Sequence, residues 1–223
     1  MALRITTNIE AMNSTRHLQN TQAMLSKSME KLSSGYRINR GADDAAGLGI
    51  SESMRAQIRG LAQAQRNIQD GVSLVQTAEG NLNQVHSMLQ RMRELAVQSG
   101  NGAISASGRQ AIQTEINQLV SEIDRIGQQA SFNGVNLLSH SSTVPVTFQV
   151  GANDGEIIAV NLISLSADLA SAAGAQYWDL SGTAPISAID AAVNRVSGLR
   201  STFGAIQNRL ENSMAVQAAY QEN

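Results

Sequence analysis

Met54, Leu61, Ile68, Val75, Leu82, Leu89 and Ala96 stand seven residues apart without interruption. A strand alternates its faces every two residues, so only a helix keeps such a row on one side. A companion row begins as Ile58 and Val72, with polar Gln65 between, and shifts to Ala78, Val85 and Met92 around Gly80. The pattern predicts one helix of roughly 55 residues, about 80 Å long at 1.5 Å rise per residue. A strict seven-residue repeat also predicts left-handed supercoiling against neighbours. The two prolines, Pro145 and Pro185, both lie beyond this region.

The remaining patterns fit around that helix. Ala11, Leu18, Leu25 and Leu32 form an earlier heptad row, with Met29 and Tyr36 beside it, and Gly35 ends it. After "SGNGAISAS", Ile112, Ile116, Leu119, Ile123 and Ile126 predict an antiparallel return helix of about six turns, which "SFNGVNLL" breaks. "VPVTFQV" and "GEIIAVNLI" around "GANDG" predict a β-hairpin. A last helix opens after Pro185, with rows Ile189, Val196, Phe203, Leu210 and Ala192, Leu199, Ile206, Tyr220. The expected class is mainly α: a long antiparallel helical bundle or coiled-coil rod with a small β-hairpin region. No stop signal follows "AAYQEN", so the last helix is expected to continue further or to fray.

Composition excludes several kinds of chemistry. Sixteen basic and eighteen acidic residues leave a formal charge of −2, which offers no footprint for nucleic acid or an anionic membrane. No cysteine is present for a disulfide or a thiolate metal site. His17, His86 and His140 stand far apart, without a metal-ligand spacing, and neither phosphate-loop nor nucleophile-elbow motifs occur. The start carries no cleavable-signal pattern, and no run reaches the roughly eighteen apolar residues of a membrane span. No enzyme and no cofactor are expected.

Two segments stand apart from the rows. In "SSGYRINRGADDAAGLGIS", Gly35 and Gly41 are expected to let the chain turn, and Gly47 and Gly49 to admit close backbones. Asp43 and Asp44 are both expected to start the long helix by meeting its free N–H groups. In "LQRMRELAVQSGNG", Leu89, Met92 and Ala96 face inward, and Gln90, Arg91, Arg93, Glu94 and Gln98 cover much of the rest. Periodicity alone reads this as a solvated face with a Gln90–Glu94–Gln98 polar ladder. Leu95 is expected to be accessible beside the arginines, where a docking surface would need it.

Taken together, the first 70 residues, "LQRMRELAVQSGNG", "QTEINQLVSEIDRI", "FNGVNLL" and "FGAIQNRLENSM" resemble bacterial flagellin. The resemblance covers about the first 140 residues and the last 35. It implies a structural filament subunit of the bacterial flagellum, exported unfolded by the flagellar type III system with a chaperone and polymerised under a cap protein. Its location would be the extracellular filament, and its partners other flagellin subunits. It implies an inner-tube helix and connector at residues 1–44, disordered in the monomer, and a rod domain at 45–140 with its C-terminal helix at 186–223. A hairpin and short variable segment would fill 141–185. The family continues beyond the "ENSM" helix, so a shortened chain is expected.

The resemblance also implies that Gln90, Arg91, Leu95 and Gln98, with Glu115, form a surface recognised by the vertebrate Toll-like receptor for flagellin and buried between subunits in a filament. Leu119 stands where some relatives carry a basic residue. In the connector, Gly35, Arg37, Arg40, Gly41, Asp43 and Asp44 would join inner tube to rod, with Arg37 and Arg40 meeting acidic or carbonyl groups of adjacent subunits. A hook–filament junction protein and a cytosolic coiled-coil adaptor are the alternative readings.

Overall fold

The computed structural model describes residues 8–139, 145–173 and 185–223. Residues 1–7, and positions 140–144 (with His140) and 174–184 around and within the expected variable segment, lie outside these. The chain divides into two compact units, Met1–Gln57 and Ile58–Asn223.

In the first unit, α1 runs from Ile9 to Ser34. Asn8 caps its start by accepting the Ala11 N–H at 3.1 Å. Gly35 ends it in the left-handed region at φ 73°, where its N–H returns to the Lys31 carbonyl. A side chain there would strain the backbone, so glycine is the residue this cap requires. α1 buries none of its residues. Among the described residues its two apolar rows are covered by no partner, and Leu18, Leu25, Met29, Leu32 and Tyr36 remain exposed.

α2 spans Ala45–Ser99, 55 residues, as the seven-residue row predicts. The row is buried in the second unit at Ile68, Val75, Leu82, Leu89 and Ala96. α3, Ala106–Gln129, is the expected return helix, with Ile112, Ile116 and Ile123 buried and Ser105 as its N-cap. Ion pairing confirms its direction: Arg91, shortly before α2 ends, meets Glu115, shortly after α3 begins.

α5 covers Pro185–Glu222. Its contacts with α2 run in reverse order. Asp190 meets Arg93, Arg200 meets Glu79, and Leu210 lies beside Gly71. That ladder makes α5 antiparallel to α2, and it buries Ile189, Val196, Phe203 and Leu210. A short helix, α4 (Leu165–Ala173), packs on α3 and α5.

Two hairpins complete the unit. β1 (Ser131–Phe132) and β2 (Val135–Asn136) pair across Asn133 and Gly134, at φ 47° and 79°. That Asn-Gly pair suits a tight hairpin turn, although the sequence reading recognised here only a break in the helix. The expected hairpin is present as β3 (Val146–Gln149) and β4 (Ile157–Val160), antiparallel, with Val146 opposite Val160. It lies along α2. The Asn67 side-chain amide donates to the Gln149 carbonyl at 3.2 Å, and Phe148 packs on Gly71.

Candidate interaction surface

The connector of the first unit is held by one carboxylate. Asp43, only 7% exposed at its side chain, receives the Lys27 ammonium at 2.6 Å and lies 3.9 Å from that of Lys31. Its other oxygen accepts the Asn39 and Arg40 N–H groups, each at 3.4 Å. The hydrogen bond from Lys27 is the main cause that lowers the Asp43 carboxyl to about 2. Asp44 has a different task. It accepts the Gly47 N–H at 2.9 Å and is the N-cap of α2. The expectation that both aspartates start the helix therefore holds for Asp44 alone. Asp43 ties the connector back to α1.

Other connector residues are placed as follows. Arg40 pairs within the chain, its Nε 2.9 Å from Glu30 Oε1, and remains exposed. Arg37 is exposed. Gly41 lies outside the left-handed region, so its turn does not depend on glycine. A Cβ on Gly47 would stand 2.4 Å from Asp44 Oδ2, so any larger residue there displaces the capping carboxylate. Gly49 has no atom within 4 Å of where a Cβ would stand, so close approach is not its role among the described residues. Arg55 lies over the Tyr36 ring, 5.1 Å from its centre.

In the second unit, the 90s of α2 carry two polar flanks. On the α3 side, Arg91 donates from Nε and Nη2 to Glu115 Oε1 at 3.1 and 3.0 Å, and from Nη1 to Glu94 at 3.0 Å. Glu94 first, then Glu115, raises the Arg91 guanidinium above its ordinary value. On the α5 side, Arg93 Nε donates to Asp190 at 2.6 Å. Gln90, Arg93, Glu94, Val97, Asp190 and Val193 line an open groove there. The Gln90–Glu94–Gln98 ladder is not formed: Gln90 pairs with His86 at 3.0 Å, and Glu94 with Arg91.

Leu95 departs from expectation. It is 2% exposed and belongs to the core with Met92 and Ile116. The accessible surface here is polar: Gln90, Arg91, Glu94 and Gln98 are exposed, while Leu95 lies beneath them. Asp190 was missed as a partner, because heptad phase assigns a face to each helix but not the residue it meets across the gap.

Among the described residues, no group of three or more His, Asp or Glu is placed to hold a metal ion. No helix among them is long and apolar enough to cross a membrane. The geometry is that of helix-to-helix contact, with one exposed apolar seam and one polar, ion-paired surface.

Comparison with known proteins agrees. Residues 5–143 match the family model of the bacterial flagellin N-terminal helical region. The chain is 51% identical over 210 residues to flagellin of Halalkalibacterium halodurans, covering 93% of this chain and 77% of that one. It is 42% identical over 255 residues to flagellin of Bacillus subtilis, covering 99% and 84%. The crystal structure of Bacillus cereus flagellin superposes with a TM-score of 0.60 at 29% identity, over 68% of this chain and 88% of that one. With a family model across more than half its length and relatives this similar over nearly all of it, the chain belongs to the bacterial flagellin family.

Proposed function

We propose that this chain is a structural subunit of the bacterial flagellar filament, polymerising through its helices. The observation that carries this reading is the unpartnered seam of α1: Leu18, Leu25, Met29, Leu32 and Tyr36 at coiled-coil spacing, all exposed. Such a row gains its burial from another helix, and in a homopolymer that helix belongs to another copy. Residues 1–44 take the inner-tube role and order fully only against neighbours, because a lone seam does not offset the cost of fixing about thirty residues. Residues 45–140 and 186–223 build the wall, and 141–185 face outward.

The finer steps rest on family membership. The subunit leaves the cell through the flagellar type III system, with an export chaperone, and adds under a cap protein to an extracellular filament. Gln90, Arg91, Gln98 and Glu115 present the surface that the Toll-like receptor for flagellin recognises. Leu95 supports it from below. Arg37 and Arg40 contact adjacent subunits at the connector.

The test is polymerisation of purified protein on filament seeds, followed by electron microscopy. Filaments whose yield falls when Leu25 and Leu32 are changed to Asp support the reading. A protein that stays monomeric under all seeding conditions would sink it.

A further inference from the structure

Eight methionines are present, and the fold sorts the seven that fall among the described residues. Met92 is 0% exposed, and Met88 and Met214 are partly buried against the core. In contrast, Met12, Met24, Met29 and Met54 are 54%, 64%, 59% and 54% exposed. These four are chemically equivalent targets for a peroxide, since thioether oxidation follows access. They are not equivalent in position. On α1, Met29 lies in the apolar seam between Leu25 and Leu32, with Tyr36 one heptad beyond. Met12 and Met24 fall elsewhere on the helix surface at 100° per residue, away from that row. Met54 opens the long row of α2 that continues through Leu61 to Ile68.

We propose that Met29 and Met54 are oxidation-sensitive assembly sites, whose conversion to sulfoxide by a hydroperoxide blocks packing along their rows. Met12 and Met24 oxidise at comparable rates without that effect. The inference rests on the filament-subunit reading. In the step itself, the sulfur lone pair attacks one peroxide oxygen, so the S–O bond forms as the O–O bond breaks. The proton on the transferred oxygen passes to the departing hydroxide. Sulfur is oxidised, the peroxide is reduced to water, and the products are one sulfoxide and one water. The sulfoxide is a strong hydrogen-bond acceptor where the row requires an apolar surface, so burying it without a donor opposes assembly. Helix formation within the subunit does not require either side chain to be buried, so the monomer should keep its fold.

The experiment treats dilute monomer with hydrogen peroxide, quenches it, and maps each methionine by peptide mass spectrometry. The same samples then undergo seeded polymerisation. Oxidation of Met12, Met24, Met29 and Met54 ahead of Met92 is expected. The concentration of unpolymerised protein should rise by about tenfold or more, with circular dichroism unchanged. Each double variant is compared with its own untreated sample: Met29→Leu, Met54→Leu should polymerise after peroxide as it does before, while Met12→Leu, Met24→Leu should lose polymerisation on treatment. Oxidation of Met92 as fast as Met29, or equal sensitivity in both double variants, would overturn the proposal. Untreated protein that does not polymerise overturns the filament reading instead, and the claimed effect on assembly falls with it, whereas the oxidation map is judged separately.

Discussion

Arg91 of α2 and Glu115 of α3 are joined by two hydrogen bonds to one carboxylate oxygen, at 3.1 and 3.0 Å. Both residues were expected to act as separate contacts for a partner. The fold instead makes them one unit, in which Glu115 and Glu94 hold the guanidinium in place. Exposed ion pairs of this kind contribute little to stability. Arg91→Ala should therefore leave the thermal midpoint of the monomer nearly unchanged while reducing polymer yield and receptor-reporter signalling. Glu115→Gln should reduce both more weakly, since it removes one charge from the unit while Glu94 still holds the arginine. A dose response for Arg91→Ala that matches wild type would remove this surface from the receptor reading.

Leu95 should behave in the opposite way. Its side chain is 2% exposed within the hydrophobic core, so Leu95→Ala opens a cavity and should cost about 2–5 kcal/mol. Gln98→Ala, one turn on and exposed, should stay within about 0.5 kcal/mol of wild type. Urea unfolding followed by circular dichroism measures both. If Leu95→Ala keeps the wild-type midpoint, Leu95 is not buried in solution. If it loses stability, any fall in signalling by that variant reports unfolding as well as lost contact.

Gly71 is where the β3–β4 hairpin and α5 both reach α2. A Cβ there would stand 3.3 Å from Phe148 Cγ and 3.4 Å from Leu210 Cδ1. Gly71→Ala should be nearly neutral, because the close contacts offset the roughly 0.5–1 kcal/mol that alanine gains over glycine within a helix. Gly71→Leu has no room and should cost about 1–3 kcal/mol through displaced neighbours. Equal urea midpoints for the two variants would show that the hairpin does not press on α2 here.

The helices were legible because each carries its own period, and the α2 row needed no knowledge of its neighbours. Leu95 was not legible for the same reason. A two-row reading assumes a narrow seam, but α2 packs against α3 on one side and α5 on the other, so its buried stripe is wider than one partner would require. The Arg93–Asp190 pair joins residues 97 apart in sequence, and no local pattern carries that register. The connector shows a finer limit. Adjacent Asp43 and Asp44 both look like caps, and helix starts read from sequence are uncertain by a residue or two. Only the direction of Lys27 and of the Asn39 and Arg40 N–H groups separates their roles.

That separation predicts a pH response belonging to one aspartate. The Asp43 carboxyl titrates at about 2 in the folded chain, against about 3.9 for an unfolded aspartate. Above the unfolded value both states are ionised, and the contacts from Lys27 and from the Asn39 and Arg40 N–H groups contribute in full. As pH falls between about 4 and about 2, the unfolded connector takes up the proton first, so this contribution is progressively lost. Below the folded value it is absent. Carboxyl carbon NMR should show Asp43 titrating well below the roughly 3.9 of an unfolded aspartate. Protection of the connector amides should decline across that window in wild type and in Asp44→Asn. In Asp43→Asn the connector should already be loosened at neutral pH, and the share of the acid response that belongs to Asp43 should be missing, leaving only what the Glu30–Arg40 pair and the Asp44 cap contribute. An Asp43 resonance that titrates near 3.9 would mean that Lys27 does not hold it in solution, and the connector would then owe its shape to Gly35 and the Asp44 cap instead.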